Sequence, residues 1–137
     1  MIWFTWTGLR IGTVIYLDTH VVVWLYAGEH ARLTRTSRRL IEEEPLLISP
    51  VLLLELALLE ETGRIKVRPQ TVFDELEASL GLSLCNLPFA EVSAASLQQK
   101  WTRDPFDRLV VGQAIARGAR LVTKDRLIRR HFRDAIW

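Results

Sequence analysis

Short apolar segments alternate with longer helical segments along most of this chain. The apolar segments lie at residues 14–17, 46–49, 82–87 and 120–123, and their length is typical of buried strands. Adjacent parallel strands need a crossover of a dozen or more residues, usually a helix, so this alternation favours parallel pairing. We therefore predict an α/β fold with a parallel sheet of about four to five short strands and helices on both faces.

Proline, threonine and glycine residues mark where helices begin and end. The predicted helices cover residues 35–44, 50–62, 70–80, 90–101 and 105–117. Pro50 begins the second of these helices. Gly63, Gly81 and Gly118 each end one. The apolar run at 21–26 fits either a further helix or a continuation of the first strand.

The size and composition of the chain exclude several classes of protein. A length of 137 residues with 49% hydrophobic residues suits one domain with its own core, which excludes a disordered chain. No apolar run reaches the roughly 18 residues of a membrane helix, so we expect no membrane association. Cys85 has no second cysteine to pair with, which indicates a reducing, cytoplasmic compartment. We expect the domain to span 14–137, after an extension at 1–13 whose status the sequence leaves open.

The net charge of +2 hides an uneven distribution. Residues 1–40 carry +3, residues 41–100 carry −6 and residues 101–137 carry +5. Fifteen of the 18 basic residues are arginine, whose planar guanidinium binds phosphate through paired hydrogen bonds. This pattern is consistent with a basic surface for an anionic polymer, and equally with arginine used only for solubility and packing.

Two aspartates follow predicted strands. Asp18 comes directly after the first strand, and Asp125 lies two residues beyond the last one. Open parallel sheets bind ligands at the carboxyl ends of their strands. Each aspartate also has a simpler explanation, because aspartate is a favoured N-cap of the helix that follows.

Glu55 is unusual because its neighbours three and four positions away on the helix are all valine or leucine. A buried carboxylate without a partner is costly, so it takes up a proton or binds a cation such as a metal ion. A salt bridge to an arginine, or a helix that is only half covered, explains Glu55 as well.

Asp104 and Asp107 lie at the beginning of the helix at 105–117. An N-cap followed by an acid in the first turn, where it stabilises the helix dipole, explains both. Four acids are nevertheless predicted near strand ends or on an inward helix face. They are Asp18, Glu55, Asp107 and Asp125. Oxygen ligands without histidine or cysteine suit Mg²⁺ or Mn²⁺, which bind substrate phosphates, so the set points to phosphodiester chemistry.

Four segments together resemble the PIN domain, and most closely the VapC toxins of type II toxin–antitoxin pairs. They are VIYLDTH at 14–20, the helix that carries Glu55, DPFDRLVVGQA at 104–114 and LVTKD at 121–125. The resemblance covers 14–137 and implies a single PIN-like domain. It implies that the catalytic, metal-holding residues are Asp18, Glu55, Asp107 and Asp125. The accessory positions that it implies are Asp104, Thr19 and Thr123.

The resemblance also implies an activity and partners. In a metal-dependent endoribonuclease, Mg²⁺ or Mn²⁺ activates a water that attacks phosphorus in the RNA backbone. The implied substrate is structured RNA such as tRNA or rRNA, and the implied partners are a second copy of the chain and a cognate VapB-like antitoxin. Candidate contacts to the RNA backbone are Arg108, Lys124, Arg126, Arg129 and Arg130. Exposed arginines on a terminal helix are also compatible with simple solvation.

Two other functions fit the same residues. A receiver-like Mg²⁺-binding regulatory module gathers aspartates at strand ends beside a threonine and a lysine, as Thr123 and Lys124 are, but Glu55 has no role in it. In a non-catalytic binding module the acids are helix caps and the apolar helices bind a partner. His20 follows the first aspartate closely, and we interpret it as structural because a histidine that opens a helix needs no catalytic role.

Overall fold

The computed structural model describes residues 14–137, so the predicted extension at 1–13 lies outside the described residues. The strands of the described part are β1 (Ile15–Leu17), β2 (Leu46–Ile48), β3 (Ser83–Leu84), β4 (Arg120–Val122) and β5 (Ala135–Ile136). Its helices are α1 (Thr19–Ala27), α2 (Arg35–Glu43), α3 (Val51–Glu61), α4 (Pro69–Leu80), α5 (Phe89–Leu97), α6 (Pro105–Arg117) and α7 (Arg126–His131), with a short 3₁₀ turn at His30–Arg32. In this range no helix has the length and hydrophobicity needed to cross a bilayer.

The five strands form one parallel sheet in the order β3-β2-β1-β4-β5. The chain builds outward from β1 on one side through β2 and β3, and then crosses to β4 and β5 on the other side. The strand order therefore reverses between β1 and β4, and open parallel sheets bind ligands at such a point. The sheet confirms the predicted α/β fold.

Strand β1 shows why the sheet is buried on both faces. Ile15 and Leu17 point to one face and Tyr16 to the other, and each is at most 1% exposed. The first face packs against α1, α2, α3 and α4, and the second face packs against α6 and α7. Helices thus cover both faces, as short strands with continuous apolar character predict.

Helix α6, which carries one of the predicted site acids and is capped by another, is held close to α5. A Cβ atom built on Gly112 would lie 2.9 Å from the backbone nitrogen of Ser96, closer than real Cβ contacts allow. Only glycine permits this approach. Gly118 then ends α6 in the left-handed conformation with φ of 71°, at the predicted position.

Two local predictions differ from the structure, and one strand was not predicted. The strand expected at 82–87 is reduced to β3, an edge strand that pairs only with β2. The helix expected at 90–101 ends at Leu97, because the backbone N–H of Gln98 bonds back three residues to Ala95. Strand β5 was not predicted, because two residues paired with β4 leave no periodic signal. The segment at 21–26, which the sequence left open, is part of α1.

Candidate active site

The first and last of the predicted site aspartates meet where the strand order reverses. Asp18 follows β1, and its backbone N–H donates to the carbonyl of Val122 at the end of β4, with an N–O distance of 3.1 Å. Asp125 lies three residues beyond Val122 and begins α7. The carboxyl ends of two neighbouring strands therefore bring together residues more than 100 positions apart in sequence.

Both carboxylate oxygens of Asp18 are engaged by the surrounding chain. Oδ1 accepts from the backbone N–H of Thr19 at 2.8 Å, which caps α1, and Oδ2 accepts from the hydroxyl of Thr123 at 2.5 Å. Capping therefore explains one oxygen of Asp18. The other oxygen is held by the neighbouring strand end, which a cap does not require.

Thr123 connects the two strand-end aspartates. Its hydroxyl donates to Asp18 and accepts from the backbone N–H of Asp125 at 3.0 Å. Asp125 in turn caps α7, since its Oδ1 accepts from the N–H of Ile128 at 2.9 Å. Thr123 is fully buried, so this connection is shielded from water.

Glu55 joins the same group through a threonine. The hydroxyl of Thr19 donates to Glu55 Oε1. Leu52 and Leu56, on the same helix, are fully buried, whereas Leu58 is 40% exposed. Glu55 thus lies at the edge of the core on a half-covered helix, with its carboxylate turned towards the end of β1.

The beginning of helix α6 contributes the remaining two acids. Asp104 caps the helix, because its Oδ1 accepts from the N–H groups of Phe106 at 2.8 Å and Asp107 at 3.3 Å. Asp107 occupies the third helical position and is not a cap. Asp107 is close enough to Asp18, Glu55 and Asp125 for their charges to raise its pKa. We call the five acids the acidic site. They are Asp18, Glu55, Asp104, Asp107 and Asp125.

Burial and mutual repulsion raise pKa values in the acidic site. Loss of hydration, together with the negative charges of the other four acids, raises the pKa of Asp107 to about 7. Loss of hydration also raises the pKa of Asp18 and that of Glu55, while the hydrogen bonds from Thr123 and Thr19 oppose the increase. Like charges are therefore held together without full compensation.

No ion pair within residues 14–137 neutralises these acids. In residues 14–137 the ion pairs join Arg32 to Glu29 and Arg133 to Asp134. Neither pair includes a member of the acidic site. A salt bridge to arginine therefore does not account for Glu55 in the described part of the chain.

The donor set of the acidic site fits a hard divalent cation. Carboxylate oxygens are the ligands that Mg²⁺ and Mn²⁺ prefer, and Mg²⁺ typically keeps several waters and uses few protein ligands. In residues 14–137, no three acidic, histidine or cysteine side chains are arranged so that they could hold a metal ion by themselves. A cation here would therefore need the carboxylates to move closer on binding, and it would share its coordination with water or substrate.

The predicted RNA-binding cations occupy several different positions. Arg108 is partly buried, and its Nε donates to the carbonyl of Thr102 at 2.9 Å, beside the cap of α6. Arg129 donates to the carbonyl of Lys124 at 3.2 Å, and Arg126 and Arg130 are exposed on α7. The sequence analysis missed Trp24 of α1, whose ring lies 5.8 Å from the Lys124 ammonium. That contact joins distant segments of the chain. The only sequence signal for it is the general tendency of cationic side chains to lie over aromatic rings.

Comparison with known proteins identifies the family. A family model for the PIN domain matches residues 15–132, which include every member of the acidic site. The chain belongs to the PIN domain family. The fold expected from the resemblance is therefore confirmed, and a receiver-like module is set aside.

One relative in sequence and one solved structure resemble the chain over most of its length. It is 34% identical over 121 residues to the protein named Ribonuclease VapC22 of Mycobacterium tuberculosis, and the match covers 87% of this chain and 92% of that protein. A solved structure of VapBC2 from Rickettsia felis, bound to a DNA fragment from its promoter, matches with a TM-score of 0.59 at 21% identity. This second match covers 85% of this chain and 92% of that one, and it shows a shared fold. The predicted resemblance to VapC proteins is confirmed.

Proposed function

We propose that this PIN domain protein is a metal-dependent endoribonuclease that acts as the toxin of a VapBC-type toxin–antitoxin pair. The observation that carries the proposal is a set of carboxylates held together at the reversal of strand order, with no ion pair to a cation of the described chain. Burial raises the pKa of three of them, Asp18, Glu55 and Asp107. The ribonuclease name of the 34% identical relative supports the same activity. The substrate we propose is structured RNA, either tRNA or rRNA, in the cytoplasm.

Four acids are the proposed ligands of Mg²⁺ or Mn²⁺. They are Asp18, Glu55, Asp107 and Asp125. When bound, the metal supplies Lewis acidity, which strengthens water as a nucleophile and offsets the negative charge of the phosphodiester. Carboxylates that repel one another in its absence are suited to this task, because a cation relieves the repulsion.

The two threonines are the proposed positioning residues. Thr123 holds Oδ2 of Asp18, and Thr19 holds Oε1 of Glu55. The second oxygen of Glu55 and the remaining lone pairs of Asp18 are then the positions offered to a ligand. Asp104 adds negative charge and fixes the start of α6. A site held within fractions of an ångström before substrate arrives keeps the reacting groups aligned for attack.

An antitoxin of the VapB type is the proposed inhibitor. Leu54 and Leu58 are 55% and 40% exposed and lie one turn apart on α3, on either side of Glu55 in sequence. An apolar segment of the antitoxin would cover them, and a basic residue directed at the acidic site would compete with the metal. We propose that the toxin itself is a homodimer.

Cleavage of natural RNA tests the proposed function. End-labelled total tRNA and rRNA are incubated with the purified, antitoxin-free chain in Mg²⁺, in Mn²⁺ or in EDTA. We expect discrete fragments with either metal and none in EDTA. Asp18→Asn should abolish them while the protein remains folded, because asparagine caps a helix as well as aspartate does.

Asp74→Asn is the matched control. Asp74 lies on the exposed face of α4, where it accepts a hydrogen bond from Gln70, so the variant removes the same charge outside the acidic site. It should cleave as the parent protein does. Absence of cleavage by the folded parent with either metal would contradict the proposal, and fragments that persist in EDTA would contradict the metal dependence.

A further inference from the structure

An aromatic and cationic surface lies beside the acidic site. The ring of Trp24, on α1, is half-buried against the core and has the ring of Trp137 centred 6.0 Å away. The guanidinium carbon of Arg32 lies 5.4 Å from the Trp24 ring centroid. The ammonium of Lys124 lies 5.8 Å from the same centroid, and the ring of the exposed His20 is centred 6.0 Å away. We call the surface formed by Trp24, Arg32, Lys124 and His20 the Trp24 patch.

The chain makes the Trp24 patch continuous with the acidic site. Lys124 lies between Thr123, which donates to Asp18, and Asp125, which caps α7. His20 is the second residue of α1, the helix that Asp18 caps. A polymer that crosses the acids at the carboxyl end of β1 therefore meets this patch next.

The two cations of the Trp24 patch have unused hydrogen-bonding capacity. Arg32 Nε donates to Glu29 at 2.7 Å, yet the Arg32 side chain is 53% exposed. Among residues 14–137, neither the terminal Nη atoms of Arg32 nor the ammonium of Lys124 has a hydrogen-bond partner. A guanidinium with one free edge and an ammonium are both suited to phosphate oxygens.

We propose that the Trp24 patch binds the single-stranded segment of RNA next to the bond that is cut, with Arg32 and Lys124 on backbone phosphates and Trp24 stacked on an unpaired base. The proposal rests on the proposed function and adds Arg32 and Trp24 to its substrate site. An exposed cation over an aromatic ring is a weak interaction, whereas a base stacked on such a ring is a stronger one. RNA therefore outcompetes the cations for the ring, and they move to its phosphates.

Binding of a short fluorescein-labelled single-stranded RNA of mixed sequence tests the patch. Fluorescence anisotropy is measured over a range of salt concentrations with the full chain carrying Asp107→Asn, so that the probe stays intact. In this background, the double variant Arg32→Ala with Lys124→Ala should bind about tenfold more weakly. Its plot of log affinity against log salt should be shallower by about 0.7 for each phosphate that the variant no longer binds.

Two further variants separate the contribution of the cations to RNA binding from that of the Trp24 ring. Arg133→Ala removes a charge whose side chain is 94% exposed, just before β5 at the amino edge of the sheet, and should change neither affinity nor salt slope. Trp24→Leu keeps apolar packing but removes the ring, and should weaken binding while leaving the salt slope as in the parent. Unchanged affinity in Trp24→Leu would overturn the role of the ring.

Other outcomes would overturn the proposal as a whole. If the double variant melts at a lower temperature but binds RNA with the parental affinity and slope, the patch only stabilises the fold. If it loses binding to poly-glutamate but not to RNA, the patch serves an acidic protein. In the cleavage assay, a parent protein that cuts RNA while the double variant keeps the same KM would refute the patch alone, whereas an inactive parent would refute the proposed function.

Discussion

Threonine and aspartate both serve as side-chain N-caps in residues 14–137, and the caps of α2 and α7 differ in charge but not in the helical position of the N–H that they bind. The hydroxyl of Thr34 accepts from the N–H of Ser37 at 3.0 Å at the start of α2, and Asp125 accepts from the N–H of Ile128 at 2.9 Å at the start of α7. Both satisfy the backbone in the same way. The negative charge of the aspartate is therefore not needed for capping.

The three aspartate caps all lie in the acidic site. Asp18, Asp104 and Asp125 cap three different helices, and each acts on the pKa of Asp107. A protein selected only for stability would gain by capping these helices with threonine or serine, because the acids repel one another. Unfavourable electrostatics that the rest of the fold must offset is typical of functional sites.

The largest effect is expected at the acid that is not a cap. Asp107→Asn removes a charge from the acidic site without touching a helix cap, so cleavage should fall about 10²- to 10³-fold, the loss typical of a removed catalytic group. Thermal unfolding should show equal or higher stability, because the repulsion is relieved. Activity close to that of the parent would place the catalytic site elsewhere.

Exchanging the two kinds of cap sharpens the comparison. Asp125→Ser keeps a capping oxygen, so its unfolding free energy should stay within about 0.5 kcal/mol of the parent while kcat/KM falls about 10- to 100-fold. Thr34→Asp is the reciprocal control, which places an acidic cap away from the site. It should retain full activity, and a comparable loss in Thr34→Asp would show that cap chemistry rather than position explains the effect.

The smallest effect is a pH dependence of stability. The pKa of Asp107 is raised from 3.8 to about 7 in the folded protein, so between these values the folded state binds more protons than the unfolded state. Stability of the metal-free protein should therefore fall as pH rises through this window. The contribution is on the order of 1 kcal/mol, allowing for the water that still reaches the side chain.

Chemical denaturation at pH 5 and pH 8, with and without Mg²⁺, measures this dependence. Mg²⁺ should stabilise the protein at pH 8 and have little effect at pH 5, where the carboxyl is protonated. Asp107→Asn should flatten the metal-free profile, whereas Asp74→Asn should leave it unchanged. A parent protein whose stability rises between pH 5 and pH 8 without metal would refute the repulsion described for the acidic site.

Much of the fold was predictable because local signals agreed. Short apolar strands and glycine-ended helices predicted the parallel sheet, and the ends of α4 and α6 lie at Gly81 and Gly118 as expected. Strand β5 was missed because it exists only by pairing with β4. The helix at 90–101 was predicted too long because the three-residue hydrogen bonds from the N–H groups of Gln98 and Gln99, which follow the end of α5, have no compositional signature.

The candidate site was predictable in its membership but not in its connections. Strand ends indicated Asp18 and Asp125, and an apolar helix made Glu55 conspicuous. Nothing in the sequence indicated that Thr123 would bridge the two aspartates or that Thr19 would hold Glu55. Their polar accessory role came only from the resemblance, and the bonding partners came from the fold.

The sequence by itself determined which residues carry charge, where strands and helices alternate, and which family the chain resembles, because these depend on local propensity and on order along the chain. Only the tertiary structure decided that Asp18 and Asp125 meet, since a reversal of strand order places β1 beside β4. It also decided that Lys124 and Arg32 share the ring of Trp24. Burial and mutual repulsion, which raise the pKa of Asp107 to about 7, exist only once distant segments are packed together.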